Sequence, residues 1–478
     1  MKDEEIKLIS SRPNAVITAP AGHGKTEMIT DLVDRLPGKK LILTHTNAGV
    51  SALSARLKRK QVDRSRFSLS TISSFCMRWC DAYPNIAGVD PEIKVVDKGY
   101  YEDRAKGTAE IFTHEWARHI LKYTYGCVIV DEYQDCVVGQ HKIFLNINKS
   151  IPVYVLGDPL QTIFGWAGRP VSWSNIGFEK VPVETYPWRW EKGNKELGQY
   201  LTNIRDVLLP SLDGKRVKMP IEPVGDYIKI IPVADAREFS FVKELSQYDS
   251  SLFITKWKNG QCSFAQHSDG IFQNDEPQNL DILYTYADLL DNDDGQSRTQ
   301  TIYAFLLNCA THISTELGSY GDHIREENYD FSRISKYPEF GSRILSLYEK
   351  HGYYEMLSVL EWIRENSKFR IYRRELFNEL CRSIRFARDH GITVKEAAQQ
   401  IRMNPANQSK YSNFKRISSR TVLSKGLEFD CVAIDCTEKY SATDMYVAMT
   451  RAMKVIYFIT DNNFIWLDPP AGLLSTSS

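Results

Sequence analysis

At 478 residues the chain is longer than one hydrophobic core organises, and 42% hydrophobic with 25% charged residues excludes wholesale disorder or a fibrous repeat. Sixty basic and sixty acidic residues cancel, so any nucleic-acid contact must come from local segregation of charge. No apolar run reaches the roughly eighteen residues of a membrane span, and nine cysteines with no C-x-x-C pair, behind an opening MKDEEIKLIS that has no apolar signal segment, read as free thiols in a reducing cytoplasm.

Asn14 to Thr18 reads as a short apolar strand, and Met28, Ile29, Leu32, Val33 and Leu36 recur at helical spacing after it. Between them lies Ala19-Pro-Ala-Gly22-His23-Gly24-Lys25-Thr26, a glycine-containing turn at a helix N-terminus, where backbone N–H groups can cradle phosphates. Gly22 and Gly24 let the chain approach a nucleotide with no Cβ in the way. Lys25 would reach the β and γ phosphates and Thr26 would bind magnesium, which makes ATP and Mg²⁺ the expected ligands. Lys40 to Thr44 is a second strand. From Arg56 to Arg66 six basic residues face one acid, Asp63, a stretch that could track phosphate or form a solvated helix face. Cys76 and Cys80 could begin a metal site, but no further ligands follow at zinc spacing.

Cys127 to Val130 is a strand ending in Asp131 and Glu132, and a phosphate-loop enzyme needs two such carboxylates. Asp131 would hold the metal, and Glu132 would orient and deprotonate the attacking water. Val153 to Leu156 adds another strand, so the first third is α/β with a parallel sheet. From Asp281 to Asn407 the periodicity turns helical, opening on acids (Asp288, Asp291, Asp293, Asp294) and ending rich in arginine. Strand-like runs return at Cys431 to Ile434 and Val455 to Ile459. The predicted organisation is a first lobe over 1–185 with a small insertion near 76–125, a second lobe over 186–280, a helical insertion over 281–407, and completion of the second lobe over 408–478.

These motifs, taken in order, resemble those of the UvrD/Rep-like superfamily 1 DNA helicases. Ala19 to Thr26 is similar to A-G-A-G-S-G-K-T, Thr44-His-Thr-Asn47 to T-F-T-N, and Ser70-Thr-Ile-Ser-Ser-Phe75 to G-T-F-H-S-F. Asp131 to Asp135 matches D-E-x-Q-D, Gly157 to Trp166 resembles G-D-x-x-Q-S-I-Y-x-W, and Tyr186-Pro-Trp-Arg189 resembles the N-Y-R element. Lys425 to Asp430 is K-G-L-E-F-D, and Tyr446 to Ala452 is Y-V-A-x-T-R-A. His45 and Ser73 depart from the family's Phe and His, Arg420-Thr-Val stands where T-x-H is usual, and the adenine-reading glutamine is missing.

The resemblance implies two RecA-like lobes with helical insertions, reduced accessory regions, and ATP in a cleft between the lobes. Lys25, Thr26, Asp131, Glu132 and Gln161 would come from the first lobe. Arg189 and Arg451, from the second, would neutralise the γ-phosphate, while Glu428 would accept from the ribose hydroxyl. Single-stranded DNA would stack on Trp166, with Phe164 and Trp173 nearby, and its backbone would meet Thr46, Asn47, Thr71 and Ser74. The implied activity is ATP-driven movement on single strands, 3′ to 5′. A compact chain with V-A-M-T-R-A also resembles the helicase-like subunit of Gabija antiviral systems, which implies an OLD-family nuclease partner with a TOPRIM site. A second reading is a regulatory ATPase that senses DNA ends or single strands without processive unwinding. A third, a small-molecule kinase, sits poorly with the two arginine motifs.

Overall fold

The computed structural model describes residues 1–90, 99–163, 171–191, 193–276, 281–403 and 414–470. By contact density the chain forms two compact units: Met1–Lys229 with Lys439–Ile456 and Asn462–Ser478, and Ile230–Glu438 with Tyr457–Asp461.

The first unit is built on five strands: β1 (Asn14–Thr18), β2 (Lys40–Thr44), β3 (Phe67–Thr71), β4 (Cys127–Val130) and β5 (Val153–Gly157), in the order β1-β5-β4-β2-β3. Every pair is parallel. All residues of β2, β4 and β5 are buried, as a sheet covered on both faces requires. The pleat sends alternate residues to opposite cores. Val16, Leu41, Leu43, Val128, Val130 and Val155 pack with the helix Ile72–Ala82, while Ile17, Ile42, Ile129 and Leu156 pack with the helix Lys25–Arg35. Parallel register brings the C-terminal strand ends to one edge, with Thr18 opposite Gly157, Leu43 opposite Val130 and Thr44 opposite Thr71. The loops that follow these strands are thereby gathered where open α/β sheets bind ligands. A separate antiparallel pair joins β6 (Val217–Pro220) to a strand late in the chain, Phe464–Leu467.

A second sheet consists of β7 (Ile228–Ile231), β8 (Ser251–Thr255), β9 (Gln273–Asn274), β10 (Arg416–Arg420), β11 (Phe429–Asp435) and β12 (Ala452–Ile459), in the order β7-β12-β11-β8-β10-β9, of which β8, β9, β10 and β11 lie wholly in the second unit. The pairs of β10 with β8, β10 with β9 and β11 with β8 are parallel. The expected α/β class, with parallel sheets and an inserted block of helices, is what the chain adopts.

That block runs through helices at Asp281–Leu290, Gly295–Cys309, Ile313–Arg325, Pro338–Lys350, Tyr353–Glu365, Arg374–His390 and Val394–Met403. Its helices bury one face each; on Arg374–His390 the stripe is Leu376, Phe377, Leu380, Cys381, Ile384 and Ala387. The acids at its start fasten helices together. The Asp291 carboxylate accepts from the Val394 and Lys395 N–H groups at 2.6 and 3.1 Å, Asp294 caps its own helix through Ser297, Asp288 pairs with Lys395, and Asp293 pairs with Arg298. Deeper in, Arg373 is 1% exposed and grips Glu276 through two bonds of 2.6 Å each.

Candidate active site

β1 delivers the chain into a turn with left-handed backbone at Gly22 (φ 72°) and Gly24 (φ 84°), where a side chain would be strained. Gly24 caps the helix that starts at Lys25. A Cβ on Gly22 would lie 2.7 Å from Trp190 and 2.9 Å from the Arg189 Cβ, and one on Gly24 would lie 3.0 Å from Trp188. The segment Trp188–Trp190 therefore lies against the phosphate loop, and the Arg189 N–H donates to the Gly22 carbonyl at 3.0 Å. His23, buried beside Trp190, faces the Ala21 carbonyl at 2.8 Å, and burial holds its pKa below the ordinary value. It is a neutral part of the loop wall.

At the end of β4, Asp131 keeps the sheet ladder by donating its N–H to the Leu43 carbonyl at 2.8 Å. Glu132 then takes φ 53°, a left-handed conformation that a non-glycine residue holds at a cost of about 1 kcal/mol or more. Three contacts hold it there. Its N–H donates to Asp131 Oδ1 at 2.9 Å, its Oε1 pairs with Lys25 Nζ at 2.6 Å, and its Oε2 accepts from Gln134 Nε2. Gln134 is itself fixed by accepting the Asp158 N–H at 3.1 Å, in space that a Cβ on Gly157 would fill. Burial pulls the Lys25 pKa down, but Glu132 and Asp131 together outweigh it and raise it, so the ammonium stays charged.

These groups fit a triphosphate and its metal. The loop offers backbone at a helix N-terminus, where the helix dipole favours negative charge. Lys25 supplies a fixed cation, and Thr26 and Asp131 supply hard oxygen donors of the kind magnesium takes.

Behind the loop lies a buried network. Asp158 is 0% exposed; its Oδ2 accepts from the Ala21 N–H at 3.2 Å and from Gln161 Nε2 at 3.4 Å, and its Oδ1 accepts from Arg205 at 2.8 Å and from the Leu160 N–H at 3.3 Å. Burial works against the Arg205 charge, and Asp158 more than offsets it. The buried Tyr446 hydroxyl meets Asp158, Arg205 and the Ala21 backbone; burial and Asp158 push its pKa up. Asp158, Arg205 and Tyr446 thus position the phosphate loop from behind. Asp158 and Tyr446 stand inside motifs visible in the sequence, whereas Arg205 has no signal beyond one arginine on an amphipathic helix, Lys195–Leu208.

Of the two predicted arginines, Arg189 donates through Nη1 to the Thr450 carbonyl. Arg451 is 2% exposed and folds back on its own helix end, with Nε on the Val447 carbonyl at 3.0 Å and Nη2 on the Thr450 hydroxyl at 3.1 Å. Thr450 therefore links them, and both belong to the same compact unit as Lys25. Gln161 is buried in the Asp158 network, and Glu428 is an exposed residue of the second unit.

The residues expected to touch DNA do other work as well. The Thr46 hydroxyl accepts the Gly49 N–H at 3.0 Å and the Thr71 hydroxyl accepts the Ser74 N–H at 3.0 Å, so both cap helices. Thr46 and Asn47 are exposed, Ser74 is half-buried and Thr71 is buried. Trp166 and Phe164 lie outside the described residues, while Trp173 donates its indole N–H to the Thr18 hydroxyl at 3.2 Å. The basic stretch is partly paired within the chain. Arg56 pairs with Glu27, Lys60 pairs with Glu27 and Asp31, and Arg66 donates to the Leu36 carbonyl. Those three fasten helix Asn47–Arg59 and the chain after it to helix Lys25–Arg35. Cys76 and Cys80 are buried, with Cys80 against the Arg104 carbonyl. Among the described residues no helix is long and apolar enough to cross a membrane.

Residues 2–167 match the family described as AAA domain. No curated protein matches the chain. Among solved structures it is similar to the arterivirus nonstructural protein 10 helicase in complex with DNA, at 9% identity and a TM-score of 0.35 over 96% of this chain and 63% of that one. It is also similar to the Pif1 helicase from Candida albicans, at 13% identity and a TM-score of 0.37 over 97% and 95%. The chain thus spans 63% of the length of the arteriviral protein.

Proposed function

We propose that the protein hydrolyses ATP and uses the cycle to move on single-stranded DNA. The observation that carries the hydrolytic half is the Lys25–Glu132 ion pair at 2.6 Å beside Asp131. A lysine at the start of a phosphate-loop helix and a carboxylate at the end of β4 are the two groups an attacking water and a γ-phosphate need. On binding, the triphosphate would compete for the Lys25 ammonium and leave Glu132 free to take a proton from water, with Gln134 keeping its orientation. Magnesium, held by Thr26 and Asp131, would draw charge from the phosphate oxygens. Arg189, whose backbone N–H is bonded to the Gly22 carbonyl, would neutralise charge on the γ-phosphate.

The DNA half rests on the motif resemblance: Thr46, Asn47, Thr71, Ser74 and Trp166 as contacts, Glu428 and Arg451 as nucleotide residues, UvrD-like type and 3′ to 5′ direction. Service beside an OLD-family nuclease in an antiviral complex in the cytoplasm is the narrowest form of the same proposal. The sensing alternative is favoured by one observation, that two of the four backbone-contact residues are already helix caps and three of the six basic residues pair within the chain. Steady-state ATPase of the purified chain with no DNA, single strands or duplex, together with strand displacement, separates the readings. Displacement by the chain alone supports the motor, stimulation by single strands without displacement supports the sensor, and indifference to DNA refutes both.

A further inference from the structure

The two units repeat one strand-to-helix device. In the first, β2 ends at the buried Thr44 and a helix begins at Asn47; in the second, β8 ends at the buried Thr255 and a helix begins at Lys258. Five residues after each threonine comes a glycine packed on it. A Cβ on Gly49 would lie 2.7 Å from the Thr44 hydroxyl, and one on Gly260 would lie 2.8 Å from the Thr255 hydroxyl. The residues before the helices share extended backbone, φ −127° and ψ 153° at Thr46 against φ −107° and ψ 146° at Trp257. Exposure follows the same order along both turns: half-buried at His45 and Lys256, exposed at Thr46 and Trp257, exposed at Asn47 and Lys258.

What differs is the chemistry on the common frame. Thr46 turns its side chain inward as a cap, whereas Trp257 makes no capping bond and is 62% exposed, a large apolar ring held out between two lysines. The Lys256 ammonium lies 5.5 Å from the ring centre, and Lys258 is exposed on the other side of it in sequence. Glu438 is turned to the frame, with its Oε2 accepting from the Lys256 N–H at 2.6 Å and from the Thr255 hydroxyl at 3.0 Å. An exposed indole flanked by ammonium groups offers a stacking face for an unpaired base and cations for the phosphates beside it.

We propose that Lys256-Trp257-Lys258 is the second unit's own grip on single-stranded nucleic acid, with a base stacked on Trp257 and phosphates neutralised by the two lysines. This rests on the reading that the chain binds single strands and assigns the grip to residues outside the motifs on which that reading stands. Duplex, whose base faces are occupied, would use the cations without the indole.

The test is equilibrium binding of a labelled oligothymidine to the full chain by fluorescence anisotropy, with thermal melting as a check on folding. Trp257→Ala should weaken binding by about 5- to 100-fold with an unchanged melting temperature, and Trp257→Phe should recover most of the loss. Changing Lys256 and Lys258 together to Gln should lower the slope of log K against log salt by about 1.4, two phosphate contacts at the single-strand value. Binding by Trp257→Ala within twofold of the unaltered chain, with the salt slope of the lysine variant unmoved, overturns the grip and leaves the DNA reading standing. An unaltered chain that ignores oligothymidine overturns both, and so the two failures are told apart. Equal losses for Trp257→Ala and Trp257→Phe would show a packing role and overturn stacking.

Discussion

Glu132, with Asp131, keeps the Lys25 ammonium charged, and on the proposed hydrolytic reading the separate removal of Lys25 and Glu132 has different consequences. Lys25→Ala should abolish turnover and weaken nucleotide binding, because it removes the phosphate cation and leaves two carboxylates facing the phosphates. Glu132→Gln should keep nucleotide bound while turnover falls by about 10² to 10⁴, since Asp131 and Thr26 remain but the base does not. Single-turnover hydrolysis alongside binding of a fluorescent ATP analogue checks both, and near-native turnover in either variant contradicts the assignment. Asp158 acts differently, through the loop. Asp158→Asn leaves the mostly buried Arg205 without its counter-charge and should cost about 3 to 5 kcal/mol in urea unfolding. At this scale the sequence was legible where chemistry dictates a spacing, as from Gly22 to Thr26 and at Asp131-Glu132. It was silent on Arg205, because one arginine on an amphipathic helix looks the same whether it meets water or a buried aspartate.

Elements were readable wherever burial imposes a period. The runs at 14–18, 40–44, 127–130 and 153–156 are strands because both sheet faces are covered, and covered strands need unbroken apolar residues. Charge patterns were less readable, since composition shows a charge but not its partner. The acids at 288–294 and the cations at 56–66 look like surface runs, yet they cap and clamp helices. The glycines behind the two strand-to-helix turns were equally hidden, because their role depends on a threonine five residues back. Gly49→Ala and Gly260→Ala should each destabilise the chain by about 1 to 3 kcal/mol, as the new methyl meets a stiff, buried threonine. Thr44→Ala and Thr255→Ala, which remove the opposing hydroxyl, should recover part of that loss in the matching double variants. Additive losses measured by thermal unfolding would show that the glycines are retained for another reason.

For the whole molecule, stability should depend on pH through acids that the fold buries. Glu375 is pushed up to about 7, first by burial and then by Glu379, Glu276 and Asp275, against an opposing pull from Arg402. Asp275 is pushed up to about 6 by burial and by Glu276, against a hydrogen bond from Ser419 and the charge of Arg420. Between about pH 4 and pH 7 the folded chain therefore holds protons that the unfolded chain has released. Unfolding loses bound protons there, so stability falls as pH rises through this window, by about 2 to 3 kcal/mol for Glu375 alone. Asp31 acts with the opposite sign at lower pH: burial raises its pKa, but the N-terminal amine and Lys60 more than reverse this, so its contribution is lost as pH falls below about 4. His23 and His141, whose pKa values burial lowers, pull the other way as pH falls toward 5, so the acid's share is read by difference: the urea midpoint of the unaltered chain, relative to that of Glu375→Gln, which keeps the shape and removes the titration, should be higher near pH 5 than near pH 7.5. A midpoint difference between the two chains that does not fall from pH 5 to pH 7.5 would show that the Glu375 carboxyl is paired in a way the packing of helix Arg374–His390 does not provide.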